Sequence, residues 1–205
     1  AYGCTVTGLQ KMQNGYRIEI KDTTDETIFI DSEVVINSSG LSSGQIAAMV
    51  GIDIDEAGYR IHPCKGEYFS VANRHRGKLK HLVYPVPTNI GLGVHTVLKL
   101  DGSLKLGPNA FYVDSLNYDV DPAHQHSFFE SAAKYLDFIK YDDLAPDMAG
   151  IRAKLQGPGE KFRDFVIQEE SNRGLVGLIN LVGLESPALT SVLAITKHVA
   201  SLALR

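Results

Sequence analysis

The run VVINSSGLSSGQIA, residues 34–47, joins an apolar triplet to a turn of small residues and then to a helix-like segment. Val34, Val35 and Ile36 show no polar alternation, so they are expected to form a strand buried on both faces. Asn37, Ser38, Ser39 and Gly40 follow as a turn, and Gly40 lets backbone come close to a neighbour. SGQIAAMVG then has the spacing of a helix. A buried strand passing through a glycine turn into a helix is the geometry of a nucleotide-contacting crossover.

Upstream, CTVTGLQKM, GYRIEIKD and TIFIDSEVVINS have strand character and are separated by the turn signals QNG and TTDE. Tyr16, Ile18 and Ile20 alternate with Arg17 and Glu19, which predicts an antiparallel meander with one face on a core. Downstream, residues 59–118 hold IHPCKGEYFSV, LKHLVYPVP, IGLGVHTVLKL and SLKLGPNAFYV, a second series of strands broken by Gly and Pro. Phe128, Phe129, Ala132, Leu136 and Ile139 lie near helical spacing within 123–139, so a helix is expected to lie on that second sheet. GIRAKL, DFVIQEE and GLVGLINLVG are three further strands. Pro187 to Leu204 forms a closing helix with Ser186 as N-cap and Pro187 at its first position. The class is α+β with an α/β portion.

Composition narrows the function classes. The 205 residues are 44% hydrophobic and 21% charged, which is ordinary for a globular chain with a substantial core. Lys plus Arg total 20 against 24 Asp plus Glu, a net charge of -4, so no basic footprint for nucleic acid is present. Cys4 and Cys64 make neither a disulfide framework nor a C-x-x-C pair, which favours a reducing compartment. No metal site is expected, since His124 and His126 stand two apart and do not share a helix face. No apolar stretch reaches the roughly 18 residues of a membrane span. A cytoplasmic protein is expected, with peripheral docking on the inner face of a membrane left open.

Three segments carry a family resemblance together: residues 34–47, YPVPTNIGLGVHTVLKLDGSLKLGPNA at 84–110, and GLINLVGLESPALTSVLAI at 177–195. They resemble the D-amino-acid oxidase-like superfamily of FAD-dependent oxidoreductases. Within it they are most similar to L-2-hydroxyglutarate dehydrogenases and oxidases, where YPVP, LGVH, DG and GPNA precede a GxR strand and SPxLT. The family also carries a GxGxxG turn for the ADP pyrophosphate, and this sequence has none; Gly91-Leu92-Gly93 lies between strand-like segments without a third glycine. The resemblance therefore implies a C-terminal portion of a flavoprotein that by itself holds FAD weakly or not at all. It implies partial Rossmann-like FAD-binding segments at 1–52 and 146–205 flanking a substrate domain of mixed sheet and helix at 53–145.

The same resemblance assigns residues. Arg152, in GIRAKL, stands at the GxR position and is expected to hold the substrate carboxylate; by residue type alone it reads as a surface ion-pair arginine. His95, in LGVH, is the candidate base for the hydroxyl proton, and by residue type alone a satisfied structural histidine. Tyr68 and Tyr84 are candidate walls of the substrate cavity, or simply buried aromatics. Gly40, Gly183, Ser186, Pro187, Ala188, Leu189 and Thr190 are candidate cofactor contacts, with amides of the closing helix facing the flavin. Lys65 and Gly66 resemble a P-x-[RK]-G-[QE] element of architectural role. The implied activity is hydride transfer from a small 2-hydroxy acid to FAD, with a quinone or oxygen accepting the electrons. Amine or glycerol 3-phosphate oxidation, and a ligand-binding module without catalysis, stand as alternatives.

Overall fold

The alternating segment becomes the centre of a three-stranded antiparallel meander, β1 (Thr5–Lys11), β2 (Tyr16–Lys21) and β3 (Thr27–Ser32), in that order. The computed structural model describes residues 2–86 and 93–204. Leu9 and Tyr16 turn inward to meet Ala47, Ile52, Tyr59, Leu155 and Leu178 in one core. The Tyr16 hydroxyl donates to the Val176 carbonyl at 3.0 Å. Burial, helped by the charges of Glu169 and Glu170, pushes the Tyr16 phenol up to about 12.

The strand at 34–47 is β4 (Val35–Asn37), followed by a single turn at Gly40–Ser42 and α1 (Ser43–Ala48). It runs parallel to β11 (Leu175–Val182), which is antiparallel to β10 (Val166–Glu170). The expected burial on both faces does not hold: Val34 is 36% and Ile36 47% exposed. Among the described residues β4 pairs along one edge only, with β11, so its other edge and part of its apolar surface stay open. The closing helix also differs. It is α3 (Val192–Ala203) with Ser191 at the cap, not a helix from Pro187 capped by Ser186. The Glu185 carbonyl takes the Ala188 amide, and the Pro187 carbonyl takes those of Thr190 and Ser191, so turns occupy 185–191 before the helical ladder starts.

These elements, residues 1–62 with 153–205, form one compact unit. Residues 53–62 go with it because Ile54, Ala57, Tyr59 and Ile61 lie on its core. Residues 63–152 form the other unit. Its sheet consists of β5 (His62–Val71), β6 (His95–Leu98), β7 (Leu104–Gly107), β8 (Phe111–Tyr112) and β9 (Leu144–Lys154). The order is β6-β7-β5-β8, and β9 also pairs with β5. No strand spans residues 79–86, although LKHLVYPVP has strand character. The Val83 amide donates to the Thr96 hydroxyl at 2.7 Å, so a side chain takes the place a ladder carbonyl would fill. Residue 87 and the proposed strand start at Ile90–Leu92 lie outside the described residues.

Helix α2 (Gln125–Ala133) covers one face of this sheet, with Phe128 and Phe69 ring centroids 4.6 Å apart. It is shorter than 123–139. Asp121 caps a separate turn at Pro122–His124, and the Ala132 carbonyl takes both the Tyr135 and Leu136 amides, which ends the ladder. Leu136 and Ile139 still reach the same core.

A buried ionic knot holds β5 to the loop before α2. Glu67, wholly buried, faces Lys65 Nζ at 3.3 Å and His124 Nδ1 at 2.5 Å, and accepts from Asn109 Nδ2 and the Asp121 amide, both at 3.2 Å. Gly66 beside it admits no side chain, since a Cβ there would stand 2.9 Å from Pro108. Burial raises the Glu67 carboxyl, but the hydrogen bonds from His124, the Asp121 amide and Asn109 outweigh it and hold the group below its usual 4.5. A depressed carboxyl contributes stability above its unfolded value and loses it as pH falls through its folded value. Glu67→Gln is therefore expected to lower unfolding free energy by about 2 kcal/mol at pH 7. In denaturant melts the gap from the parent should shrink as the pH is taken down through the carboxylate range; a gap independent of pH contradicts it.

Candidate functional site

The residues singled out from sequence fall into two sets, one in each unit. In the second unit, strand register decides which side chains share a face. Phe69 pairs with Leu106 and both enter the core against α2. Ser70 pairs with Lys105, and Lys105 with Val97, so these three point to the opposite face. Tyr68 and His95, each two positions along, belong to that face as well. Gly107, the cross-strand partner of His95, is the only residue type that fits there: its φ is +137°, and a Cβ would stand 2.8 Å from the Tyr68 ring. Tyr68 thus lies over the strand beside His95.

The His95 ring is fixed on two sides. It stacks on Tyr84 with centroids 4.3 Å apart and planes 21° from parallel. Its Nδ1 lies 2.9 Å from the Gly93 carbonyl. A carbonyl only accepts, so Nδ1 carries the hydrogen and donates it, and Nε2 of the neutral ring is left with its lone pair. Tyr84 itself is held through Val83, whose amide and carbonyl both bond Thr96.

Tyr68 gathers the remaining groups. Burial raises its phenol, the charges of Arg152 and Lys105 lower it, and Tyr84 adds to the rise, with the net shift upward. Arg152 comes from β9, the neighbour of β5. Tyr68, Tyr84, His95 and Arg152, all singled out from sequence, are thus brought together within one unit. Lys105 and its partner Asp147, 2.6 Å away on β9, were not singled out. Their partnership is a matter of strand order, and no local motif announces it.

In the first unit, Asn37 at the end of β4 organises the turn that contains Gly40. Its Nδ2 donates to the Ser43 carbonyl and to Asn180 Oδ1, both at 2.8 Å, and its Oδ1 accepts from the Ser39 hydroxyl at 2.6 Å. Asn180 donates onward to Glu170, which also receives Tyr59 at 2.6 Å and Arg173 at 2.6 Å. Gly40 has φ +59°, and nothing lies within 4 Å of where a Cβ would stand, so its backbone is open. The Ser43 hydroxyl is buried and has no hydrogen-bond partner among the described residues. A cavity of about 450 Å³ lies along this turn, lined by Asn37, Ser38, Ser39, Ser42 and Gln45 among others.

The loop after β11 borders the other side of β4. Gly183 packs on Leu155, whose Cγ a Cβ would meet at 2.5 Å. Lys154 and Glu185 pair at 3.0 Å and anchor the loop. Ser186, Pro187, Ala188, Leu189 and Thr190 form the turns described above, and the Thr190 hydroxyl donates to the Pro187 carbonyl at 2.8 Å. Ala188 and Leu189, with Ile36, Ser38, Leu184 and Ile195, line an apolar cavity of about 430 Å³. Ser38 and Ile36 border both cavities, so Gly40 and the 183–190 loop converge on the end of β4.

Known proteins resemble this chain in sequence and in fold. The chain is 37% identical over 187 residues to a mitochondrial L-2-hydroxyglutarate dehydrogenase of Arabidopsis thaliana, covering 84% of this chain and 38% of that protein. It is 28% identical to the L-2-hydroxyglutarate dehydrogenase of Escherichia coli strain K12, covering 98% of this chain and 53% of that one. The chain thus spans about half, or less, of the length of these relatives. Its fold is similar to that of an FAD-bound L-alpha-glycerophosphate oxidase from Mycoplasma pneumoniae, at TM-score 0.79 and 21% identity, covering 98% of this chain and 50% of that structure. The family model for FAD dependent oxidoreductases matches residues 1–202, and the chain belongs to that family.

Proposed function

We propose that the protein is an FAD-dependent dehydrogenase or oxidase of L-2-hydroxyglutarate or a closely similar 2-hydroxy acid. The observation that carries this is the grouping of Arg152 with His95, whose Nε2 is the ring's accepting nitrogen, around Tyr68 and Tyr84. The two curated relatives named above support the substrate. Residues 1–62 and 153–205 are assigned to FAD and residues 63–152 to the substrate.

The first unit fits the cofactor. Open backbone at Gly40 and an unpartnered buried hydroxyl at Ser43 suit a polar ligand at the β4 turn. Gly40, Gly183, Ser186, Pro187, Ala188, Leu189 and Thr190 would hold it. FAD, when bound, supplies the acceptor for the hydride leaving the substrate α-carbon. Arg152 grips the carboxylate with its planar fork and fixes the α-carbon. His95 takes the hydroxyl proton on Nε2, and stacking by Tyr84 keeps that nitrogen aimed. Tyr68, its phenol raised, stays protonated at neutral pH and is a hydrogen-bond donor for the bound acid. Electrons would pass on to a quinone or oxygen, and a peripheral position on a membrane's inner face, reached from the cytoplasm, belongs to the same proposal. Among the described residues no helix is long and apolar enough to cross a membrane.

Anaerobic addition of L-2-hydroxyglutarate to the flavin-loaded full-length protein should bleach the flavin band, and the D isomer, glycine and glycerol 3-phosphate should not. Bleaching by glycine or glycerol 3-phosphate instead would transfer the protein to the amine or phosphate-ester members of the fold.

A further inference from the structure

We propose that Lys105, held by Asp147, binds the distal carboxylate of the substrate and selects a dicarboxylic 2-hydroxy acid over its monocarboxylic analogue. The proposal rests on the functional reading above and deepens it. Lys105 stands on β7 and Asp147 on β9, and these strands flank β5 on opposite sides. Their bond at 2.6 Å therefore crosses over β5 on the face that carries Ser70 and Tyr68. Both side chains are largely shielded, at 14% and 24% exposure.

A shielded ammonium needs an anion, and Asp147 supplies one. The ammonium has three hydrogens, so a second carboxylate can share it. Arg152 and Lys105 act on the same phenol from two strands, which brings two cations to Tyr68. Their strands are about 10 Å apart, and Arg152 lies five residues along β9 from Asp147, about 17 Å further on, so the two long side chains must reach toward each other over Tyr68 to meet the two ends of a short diacid. Arg152 is matched to the carboxylate beside the reacting carbon. The distal carboxylate would meet Asp147 and be repelled if Lys105 were absent. A monocarboxylic acid makes no such demand.

The test compares L-2-hydroxyglutarate with L-2-hydroxypentanoate in the flavin-loaded enzyme. Lys105→Met should cut kcat/KM for the diacid about 30-fold and leave the monoacid nearly unchanged. Lys105→Arg should restore the preference. Lys105→Met with Asp147→Leu removes the orphaned carboxylate, protects against misfolding, and should show the same loss of preference. Calorimetric binding of glutarate against pentanoate, which lack the hydroxyl, gives the same comparison without turnover: Lys105→Met should weaken glutarate alone. An unchanged ratio, or equal loss for both acids, overturns the proposal. If the parent enzyme oxidises neither hydroxy acid, the functional reading fails, and the glutarate and pentanoate pair still decides the role of Lys105.

Discussion

Arg152→Ala is expected to lower kcat/KM for L-2-hydroxyglutarate about 10³-fold, chiefly through KM with a smaller fall in kcat. Two charge-assisted bonds to a carboxylate together are worth about 4 kcal/mol, at about 1.4 kcal/mol per tenfold. The KM part reflects lost attraction. The kcat part reflects an α-carbon no longer held in line. Arg152→Lys keeps the charge without the fork and should recover most of KM but less of kcat. A second signal is independent of turnover. Arg152 lowers the Tyr68 phenol, so its removal should move tyrosinate absorbance from that residue to still higher pH. Unchanged kinetics together with an unchanged tyrosine titration would take Arg152 out of the site.

What could be read in the linear sequence depended on whether a signal was local. Tyr16, Ile18 and Ile20 alternate with polar residues, and that period of two is sufficient to specify the meander. His95 and Arg152 sit inside short recognisable runs, LGVH and GIR. Asn37 and Asn180, by contrast, are 143 residues apart, and their bond depends on β4 lying parallel to β11. Glu67 and His124 are 57 apart and meet only because β5 runs beneath the loop before α2. Lys105 and Asp147 meet only because β7 and β9 both flank β5. The misplaced start of the closing helix has a different cause. Ser186 and Pro187 have the composition of a helix start, but carbonyls at 185 and 187 capture the amides that follow, and turns win over the ladder.

The contrast between the two units bears on how each does its work. In the second, ring stacking, a glycine gap and a cross-strand ion pair set rigid side chains on a sheet face, where placement is accurate. In the first, a chain of buried amides and carboxylates from Arg173 through Glu170, Asn180 and Asn37 ends at the β4 turn. Arg173, Glu170 and Asn180 bond side chain to side chain, and Asn37 at the end bonds main chain at the Ser43 carbonyl; on the function proposed above, the turn it braces would meet the cofactor and the sheet face of the other unit the substrate.

His95→Asn separates these contributions most sharply. Asparagine retains a donor for the Gly93 carbonyl and comparable size, and so keeps the local fold, but it has no nitrogen that takes up a proton at working pH. If Nε2 removes the hydroxyl proton, kcat should fall by at least about 10², the low end for a positioned general base. The acid limb that a histidine base imposes on the pH-rate profile should vanish with it. KM should change little, because Arg152 still holds the carboxylate. Tyr84→Leu provides the control for positioning: it leaves the base in place but removes the ring stacked 4.3 Å away, so kcat should fall less and the acid limb should survive. An acid limb that persists in His95→Asn would assign the base elsewhere and leave His95 as a packing partner of Tyr84.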